Sequence, residues 1–229
     1  MILAIDTSTD QASVALAAGT SVQAECSWIA GRNHSRQLTG VIRHVLAIED
    51  APVASISAVV VARGPGSFSG VRVGISEAKG IAMALRVPLV GISTLDVIAF
   101  QATSCSSDLW AILPAGRDEV SLARYVGGGA DWRRMSAYLL LPLQEAARVV
   151  GGEALLTGPG AELLADYAAE FGPRPTALDS AGSLRRAGYL AELGRRYLEA
   201  GGHDQLDDLE PLYLRRSAAE EKRAATGQE

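Results

Sequence analysis

Short apolar runs alternate with polar turns along the first half of the chain. Ile2–Ile5 ends in a polar turn, and Ala12–Ala17 and Ser21–Trp28 follow as the two strands of a predicted hairpin. Apolar residues recur at helical spacing from Ser35, and the β-branched run Ile56–Ala62 is typical of a buried, parallel strand. A helix, a strand and a helix follow, so the pattern predicts the element order βββαβαβα.

The second half of the chain repeats that order. Its third strand is predicted over Trp132–Leu140 and its last helix over Ser183–Ala200, and Glu210–Arg216 is predicted as a final short strand or turn. The tripeptide Gly-Pro-Gly follows the same predicted strand in each half, at Gly64–Gly66 and Gly158–Gly160. Two halves with one element order predict a duplicated α/β fold in which each lobe has a mixed sheet.

Composition is that of a folded protein and limits its partners. The chain has 229 residues, of which 48% are hydrophobic and 21% are charged, and its formal net charge is −5. An acidic balance argues against broad nucleic-acid binding by this chain alone, because phosphate contacts need a basic surface. We place one lobe at residues 1–104, a second lobe at 105–216 and a flexible tail, poor in apolar residues, at 217–229.

The sequence shows no targeting or membrane signal. No apolar stretch approaches the roughly 20 residues that span a bilayer, and Met1 leads into an apolar run without a basic segment before it. Cys26 and Cys105 lack the spacing of a metal or redox motif. We therefore expect a cytoplasmic protein with two free thiols and no membrane association.

The glycine-rich loop after the Ile56–Ala62 strand leads into a helix predicted over Gly70–Leu85. Such a strand–loop–helix can bind phosphate through backbone N–H groups at the helix N-terminus. Here the loop has no Gly-Lys-Ser/Thr, and Pro65 removes one backbone donor. The sequence therefore favours a tight strand-to-helix turn, with Ser69 as the residue that caps the helix.

The helix that follows carries a ridge of small residues. Gly70, Gly74, Ala78 and Ala82 recur every four residues, so they share one face and permit close contact with another helix or sheet. A glycine inside a helix costs about 1 kcal/mol relative to alanine, which close packing would offset. The spacing alone leaves two alternatives open, a partner's helices or the lobe's own sheet.

Two other sets of residues are candidates for ligand chemistry. Asp6, Thr7 and Ser8 follow the first strand, where a carboxylate and hydroxyl groups could meet Mg²⁺ and phosphate oxygens. Turns of this composition also close hairpins in many proteins, so the signal is weak. A metal pair on the first helix is not predicted, because His34 has Leu38 rather than histidine four residues later. No catalytic triad or Cys–His pair can be argued from the sequence.

The duplicated element order resembles the RNase H-like lobes of actin, sugar kinases and Hsp70-type ATPases. Particular segments narrow the resemblance: Met1–Asp10, Asn33–Ser35, Gly64–Gly74, Ala78–Gly80, Pro88–Thr94 and Pro211–Arg215. Together these segments resemble the TsaB family. The resemblance runs from residue 1 to about residue 216, and the second half matches mainly by element order.

The resemblance implies a non-catalytic subunit of the machinery that makes N6-threonylcarbamoyladenosine (t6A) on tRNA. TsaB pairs with TsaD, which carries out the transfer, and TsaE joins them; a homodimer through the same helices is expected when the chain is alone. The resemblance implies no cofactor bound by this chain alone, and ATP or ADP at an interface with its partners. It also implies that this chain contacts tRNA only indirectly. The implied interface lies on the first two helices, at Leu38, Val41, Ile42, Val45, Gly70, Val71, Gly74, Ile75, Ala78 and Ala82.

The residues alone also leave a second class of function possible, that of an enzyme. The alternative is an actin-like ATP-dependent enzyme or a metallopeptidase-like hydrolase. It requires nucleotide turnover that depends on Asp6 or a bound metal, and the missing second histidine argues against the metal.

Overall fold

The computed structural model of the chain describes residues 1–103, 108–128, 132–151, 154–179 and 181–215. In the first half, the described elements are β1 Ile2–Asp6, β2 Gln11–Ala18, β3 Ser21–Ile29, α1 His34–Ile48, β4 Ala58–Ala62, α2 Phe68–Leu85, β5 Leu89–Ile92 and α3 Thr94–Gln101. In the second half they are β6 Asp108–Gly116, β7 Glu119–Val126, β8 Arg133–Arg134, β9 Leu139–Pro142, α4 Leu143–Val150, β10 Leu155–Thr157, α5 Ala161–Ala169, β11 Thr176–Ala177 and α6 Ala187–Glu199.

The two halves build two mixed sheets with the same strand order. In the first sheet the order is β3-β2-β1-β4-β5, where β1 and β2 are antiparallel and β4 and β5 run parallel to β1. The second sheet has the order β8-β7-β6-β10-β11, and β9 also pairs with β7. The predicted fold class, two RNase H-like lobes of the βββαβαβα order, is confirmed.

The third strand of the second half differs from the prediction. Trp132–Leu140 is not one strand, because β8 and β9 pair with different ends of β7. Between them the hydroxyl of Ser136 accepts the Arg124 backbone N–H at 2.9 Å, so a side chain takes the place of the ladder bond there. Three predictions lie outside the described residues. They concern the free thiol of Cys105, the lobe boundary between residues 104 and 105, and the tail at 217–229.

The third helix of each half packs on the sheet of the other half. Buried residues of α3, among them Leu95 and Ile98, contact Leu109 and Ala111 of β6. Buried residues of α6, such as Leu190, lie against the first sheet with the strands β1, β2, β4 and β5. This exchange gives the two lobes a shared hydrophobic core on their facing sides.

The last helix is shorter at its start than the sequence predicts. Ser183–Ala200 is predicted as helical, but α6 begins at Ala187 and Arg186 has an extended backbone. The preceding residue explains the delay, because the backbone N–H of Arg185 donates to Gln11 Oε1 at 3.1 Å and its carbonyl accepts from Gln11 Nε2 at 2.6 Å. Tertiary bonds thus outweigh the helical preference of this segment.

A C-terminal strap, residues 203–215, runs along the outer edge of the first sheet. Asp204 and Gln205 side chains accept the backbone N–H groups of Leu89 and Gly91 in β5, at 2.8 and 2.9 Å. Leu209 is buried in the core of the first lobe. The described part of Glu210–Arg216 contains no strand, and its Leu212 N–H donates to the carbonyl of Arg63, just after β4, at 2.7 Å.

We predict that Gly194→Ala destabilises the protein although the change is small. A Cβ at Gly194 in α6 would lie 2.3 Å from Val60 Cγ2 in β4. Overpacking of this kind lowers the free energy of unfolding by about 1–3 kcal/mol, measurable by urea denaturation. The matched control is Gly172→Ala, where a Cβ meets nothing within 4 Å. Equal stability of the two variants would contradict the predicted packing of α6 on β4.

Candidate functional site

The glycine-rich loop is a tight turn held against the β1–β2 turn. A Cβ on Gly66 would lie 2.0 Å from the carbonyl oxygen of Ser8, so only glycine fits at this contact. The Ser67 backbone N–H donates to that same oxygen at 2.6 Å. Ser67, rather than the predicted Ser69, caps α2 by accepting the Gly70 N–H at 3.3 Å. The favoured interpretation, a strand-to-helix turn, therefore has a specific packing reason.

The small-residue ridge of α2 packs on the lobe's own sheet. A Cβ on Gly70 would lie 2.2 Å from the Thr7 carbonyl oxygen, and one on Gly74 would lie 2.4 Å from Thr7 Oγ1. The Thr7 hydroxyl also donates to the Gly70 carbonyl at 2.7 Å. Of the two alternatives that the spacing left open, the structure has the ridge against β1 and β4.

The structure describes the surroundings of the predicted interface residues. Val41 is half-buried, and the others are buried within the first lobe, where contacts within the chain cover them. These side chains are therefore not exposed in the isolated chain, and their role in an interface stays a prediction. The buried members are Leu38, Ile42, Val45, Gly70, Val71, Gly74, Ile75, Ala78 and Ala82.

The opposite side of α1 and α2 forms the exposed surface, which we call the outer helix face. Its members recur three or four residues apart, so they form one stripe on each helix. They are Arg36, Gly40, Arg43 and Ala47 on α1 and Ser69, Arg72, Ser76, Gly80 and Met83 on α2. Met83 is 64% exposed and is the large apolar side chain of this face.

Two glycines of the outer helix face stand in open space. A Cβ on Gly40 or Gly80 would meet nothing within 4 Å, so no contact within the described chain requires glycine there. Each costs about 1 kcal/mol of helix stability relative to alanine. A groove of about 360 Å³ lies between the first halves of the two helices, and Ser35, Arg72 and Glu77 are among its lining residues. The sequence reasoning missed this face, and glycines at polar helix positions were the signal that could have found it.

The predicted phosphate loop is closed by an internal ion pair. Asp6, Thr7 and Ser8 are buried, and Asp6 Oδ2 accepts from Arg185 Nε at 2.9 Å with both side chains at most 2% exposed. The other oxygen of Asp6 accepts from the Ser8 N–H and hydroxyl at 2.8 and 2.6 Å. A guanidinium of the protein thus bonds to the carboxylate at which the sequence suggested Mg²⁺ and phosphate.

A cleft between the lobes lies beside this ion pair. Its volume is about 710 Å³, and Thr9, Gln11, Pro159 and Leu184 are among its lining residues. His34 is buried and its Nε2 lies 2.8 Å from the Thr9 carbonyl oxygen, so its role is to fasten the start of α1 to the β1–β2 turn. Within the described ranges, no three His, Cys, Asp or Glu side chains are grouped as metal ligands, and no helix is long and apolar enough to cross a bilayer.

A second polar cluster connects α3 to the other lobe. Asp96 of α3 accepts from the hydroxyls of Tyr125 and Tyr138 at 2.7 and 2.8 Å. Partial burial raises the pKa of Asp96, although the two tyrosine hydrogen bonds and the nearby charge of Arg134 oppose the shift. Burial and the adjacent carboxylate also raise the pKa of both tyrosines, so they stay protonated donors. Tyr125 is buried, whereas the Asp96 side chain is 23% exposed.

Comparisons with known proteins point to one family. Residues 28–156 match the family model described as TsaD, tRNA N6-adenosine threonylcarbamoyltransferase. This chain is 29% identical to a protein of Escherichia coli K12 named tRNA threonylcarbamoyladenosine biosynthesis protein TsaB. The alignment spans 227 residues and covers 96% of this chain and 97% of that protein. The protein of the same name in Bacillus subtilis is 31% identical over 237 residues, covering 96% of each. A solved structure from Pseudomonas aeruginosa, described as similar to peptidase YEAZ, is 28% identical with a TM-score of 0.80, covering 93% of this chain and 99% of that one.

We predict that Arg185→Met lowers the free energy of unfolding by about 3–5 kcal/mol, because it leaves a buried carboxylate without its counter-ion. The matched control is Arg174→Met, since Arg174 pairs with Glu162 and Asp166 and the three side chains are 44%, 53% and 71% exposed. Exposed pairs of this kind contribute little to the free energy of unfolding. In the double variant Asp6→Asn/Arg185→Met part of the loss returns, because no buried charge remains. Equal urea midpoints for the two single variants would contradict this assignment.

We also predict a pH dependence from Asp96, whose pKa is raised in the folded chain. A raised pKa means that the folded state binds the proton more tightly. The stabilisation is complete below about pH 3.9, the ordinary aspartate pKa, and is lost as the pH rises through the folded value. Asp96→Asn should remove this fall in the free energy of unfolding, measured by urea denaturation across a pH series. Asp108→Asn is the control with the opposite sign, because Arg124 lowers the pKa of Asp108.

Proposed function

The chain belongs to the TsaB family of tRNA threonylcarbamoyladenosine biosynthesis proteins, and from that membership we propose that it acts by binding TsaD through the outer helix face. In this proposal the chain is a non-catalytic subunit that activates its partner. TsaD performs the transfer to tRNA, TsaE joins the pair, and tRNA reaches this chain only through them.

One observation carries the choice of surface. Gly40 and Gly80 lie inside α1 and α2 with open space beside them, and each weakens its helix. Close approach of another pair of helices gives these positions a physical purpose, because a bare backbone lets helix axes come nearer than side chains allow. Exposed Met83 supplies apolar contact area on the same stripe. The face therefore suits a helical bundle with a partner.

In this proposal the chain has no catalytic activity of its own, because the side chains that could bind a metal or a nucleotide are hydrogen-bonded within the protein. The Asp6 carboxylate is bonded to Arg185 and to Ser8 inside the protein, so it is not available to a metal–nucleotide complex. The His34 ring is bonded to the Thr9 carbonyl. We assign this chain no cofactor of its own, and leave ATP or ADP to a site shared with its partners.

The test is calorimetric titration of TsaD from the same organism with Gly40→Leu and Gly80→Leu variants. Both side chains enter open space, so the isolated chain keeps its fold and gains about 0.5–1 kcal/mol of helix propensity. The added volume holds partner helices apart, and we expect affinity for TsaD to fall at least about tenfold, as for a lost interface hot spot. Formation of t6A in cells that depend on the variant should fall with it.

Gly172→Leu is the matched control for this experiment, since a Cβ there also meets nothing within 4 Å and the residue lies in the second lobe. It should bind TsaD normally. Gly74→Leu does not serve the purpose, because its clash with Thr7 changes folding before binding. Normal affinity of both Gly40→Leu and Gly80→Leu would sink the proposal.

A further inference from the structure

The cleft between the two lobes is large enough to enclose a small organic molecule. Its volume of about 710 Å³ lies within the range of about 300–1,000 Å³ that is typical of ligand pockets. The β1–β2 turn lines one side through Thr9 and Asp10, and the loop before α5 lines the other through Gly158 and Pro159. These residues do not belong to the outer helix face, so the cleft is a separate candidate for binding.

Apolar side chains line most of the cleft, and two large ones are open to water. Ile29, at the end of β3, is 74% exposed, and Leu184 is 41% exposed. Pro114, Pro159 and Leu178 continue the apolar lining. A molecule that covers these side chains removes apolar surface from water, which stabilises the complex. The lining therefore favours a ligand with an apolar body.

The exposed charged residues that line the cleft are acidic on both lobes. Asp10 of the first lobe is exposed, and no ion pair of the described residues involves its carboxylate. Glu162, in the first turn of α5, pairs with Arg174 Nη2 at 2.5 Å. Arg174 also pairs with Asp166, so two carboxylates share one guanidinium and negative charge is left over. The rim of the cleft is therefore negative.

The nearby cations do not reverse the sign of the rim. Arg185 lines the cleft, but its side chain is 1% exposed and its charge is balanced by Asp6. Arg32 follows Gly31, whose N–H donates to the Asp10 carbonyl at 3.1 Å, and Arg32 is not among the lining residues. An anion would lose its hydration against apolar walls and meet carboxylates at the rim. A cation is favoured, because walls of low dielectric focus the field of these carboxylates.

From the lining and the charge of the rim, we propose that the cleft binds a small organic amine. Its ammonium group lies at the rim with Asp10 and Glu162, and its apolar body covers Ile29 and Leu184. Apolar contact supplies the affinity, and the carboxylates select the sign of the charge. Both sides of the site belong to this chain, so binding needs no partner and is independent of the proposed function.

Three probes of nearly equal size test the selection by charge. Phenethylammonium, 2-phenylethanol and phenylacetate carry the same ring with a positive charge, no charge and a negative charge. Saturation-transfer-difference NMR on the full chain gives each Kd in about 50 mM NaCl, where charges are screened over about 13 Å. We expect a Kd on the order of 1 mM for phenethylammonium, as for a small fragment. Phenylacetate should bind at least about tenfold more weakly, with 2-phenylethanol between the two.

Two variants separate the charge of the rim from the apolar lining, and each has a matched control. Asp10→Asn should weaken binding of phenethylammonium about threefold to tenfold and leave 2-phenylethanol unchanged. Its control is Asp207→Asn, at an exposed position of the strap, which should change neither Kd. Leu184→Ala should weaken binding of both probes. Its control is Leu163→Ala, because Leu163 is 48% exposed and does not line the cleft.

Several outcomes would overturn the amine site. They are no binding of phenethylammonium, binding of phenylacetate that is equal or tighter, and equal effects of Asp10→Asn and Asp207→Asn on the Kd of phenethylammonium. Displacement of bound phenethylammonium by Mg·ATP would assign the cleft to a nucleotide instead. The Asp10→Asn chain should bind TsaD with unchanged affinity, so loss of the amine site leaves the proposed function standing.

Discussion

The buried ion pair between Asp6 and Arg185 is the constraint around which the two lobes are arranged. Two charges removed from water stabilise a fold only when their geometry and additional hydrogen bonds are good. Here Ser8 satisfies the second oxygen of Asp6, and Arg185 Nη2 also donates to the Gln11 carbonyl at 2.8 Å. The pair therefore joins the first turn of one lobe to the segment that leads into α6, and fixes where that helix crosses onto the first sheet.

The same ion pair shows why the fold alone does not reveal what this chain does. A duplicated lobe with a cleft between its halves is a scaffold on which many activities are built, so the fold by itself says little about function. In this chain the carboxylate next to the cleft is bonded to the protein's own arginine. In the function proposed above, the specific features lie instead on the outside of α1 and α2, on a surface rather than in a cavity.

Periodicity predicted most of the elements because apolar runs and helical spacing are local properties of the chain. Periodicity could not predict which way α2 faces. Small residues at every fourth position permit close approach to any neighbour, and they do not specify which neighbour that is. Gly74 meets Thr7 of the same lobe, while Gly80 meets open space, yet both are glycines of one helix. Arg185 was not predicted as a site residue because it is 179 residues from Asp6 in the sequence.

The strap along β5 has a consequence for the behaviour of the protein in concentrated solution. An edge strand with free N–H groups is a template onto which another chain can add a strand, and proteins that leave such edges bare tend to aggregate. The Asp204 and Gln205 side chains occupy the N–H groups of Leu89 and Gly91, so a visiting strand finds no donors there. A segment without regular secondary structure thus protects this edge of the sheet against the addition of a strand from another chain.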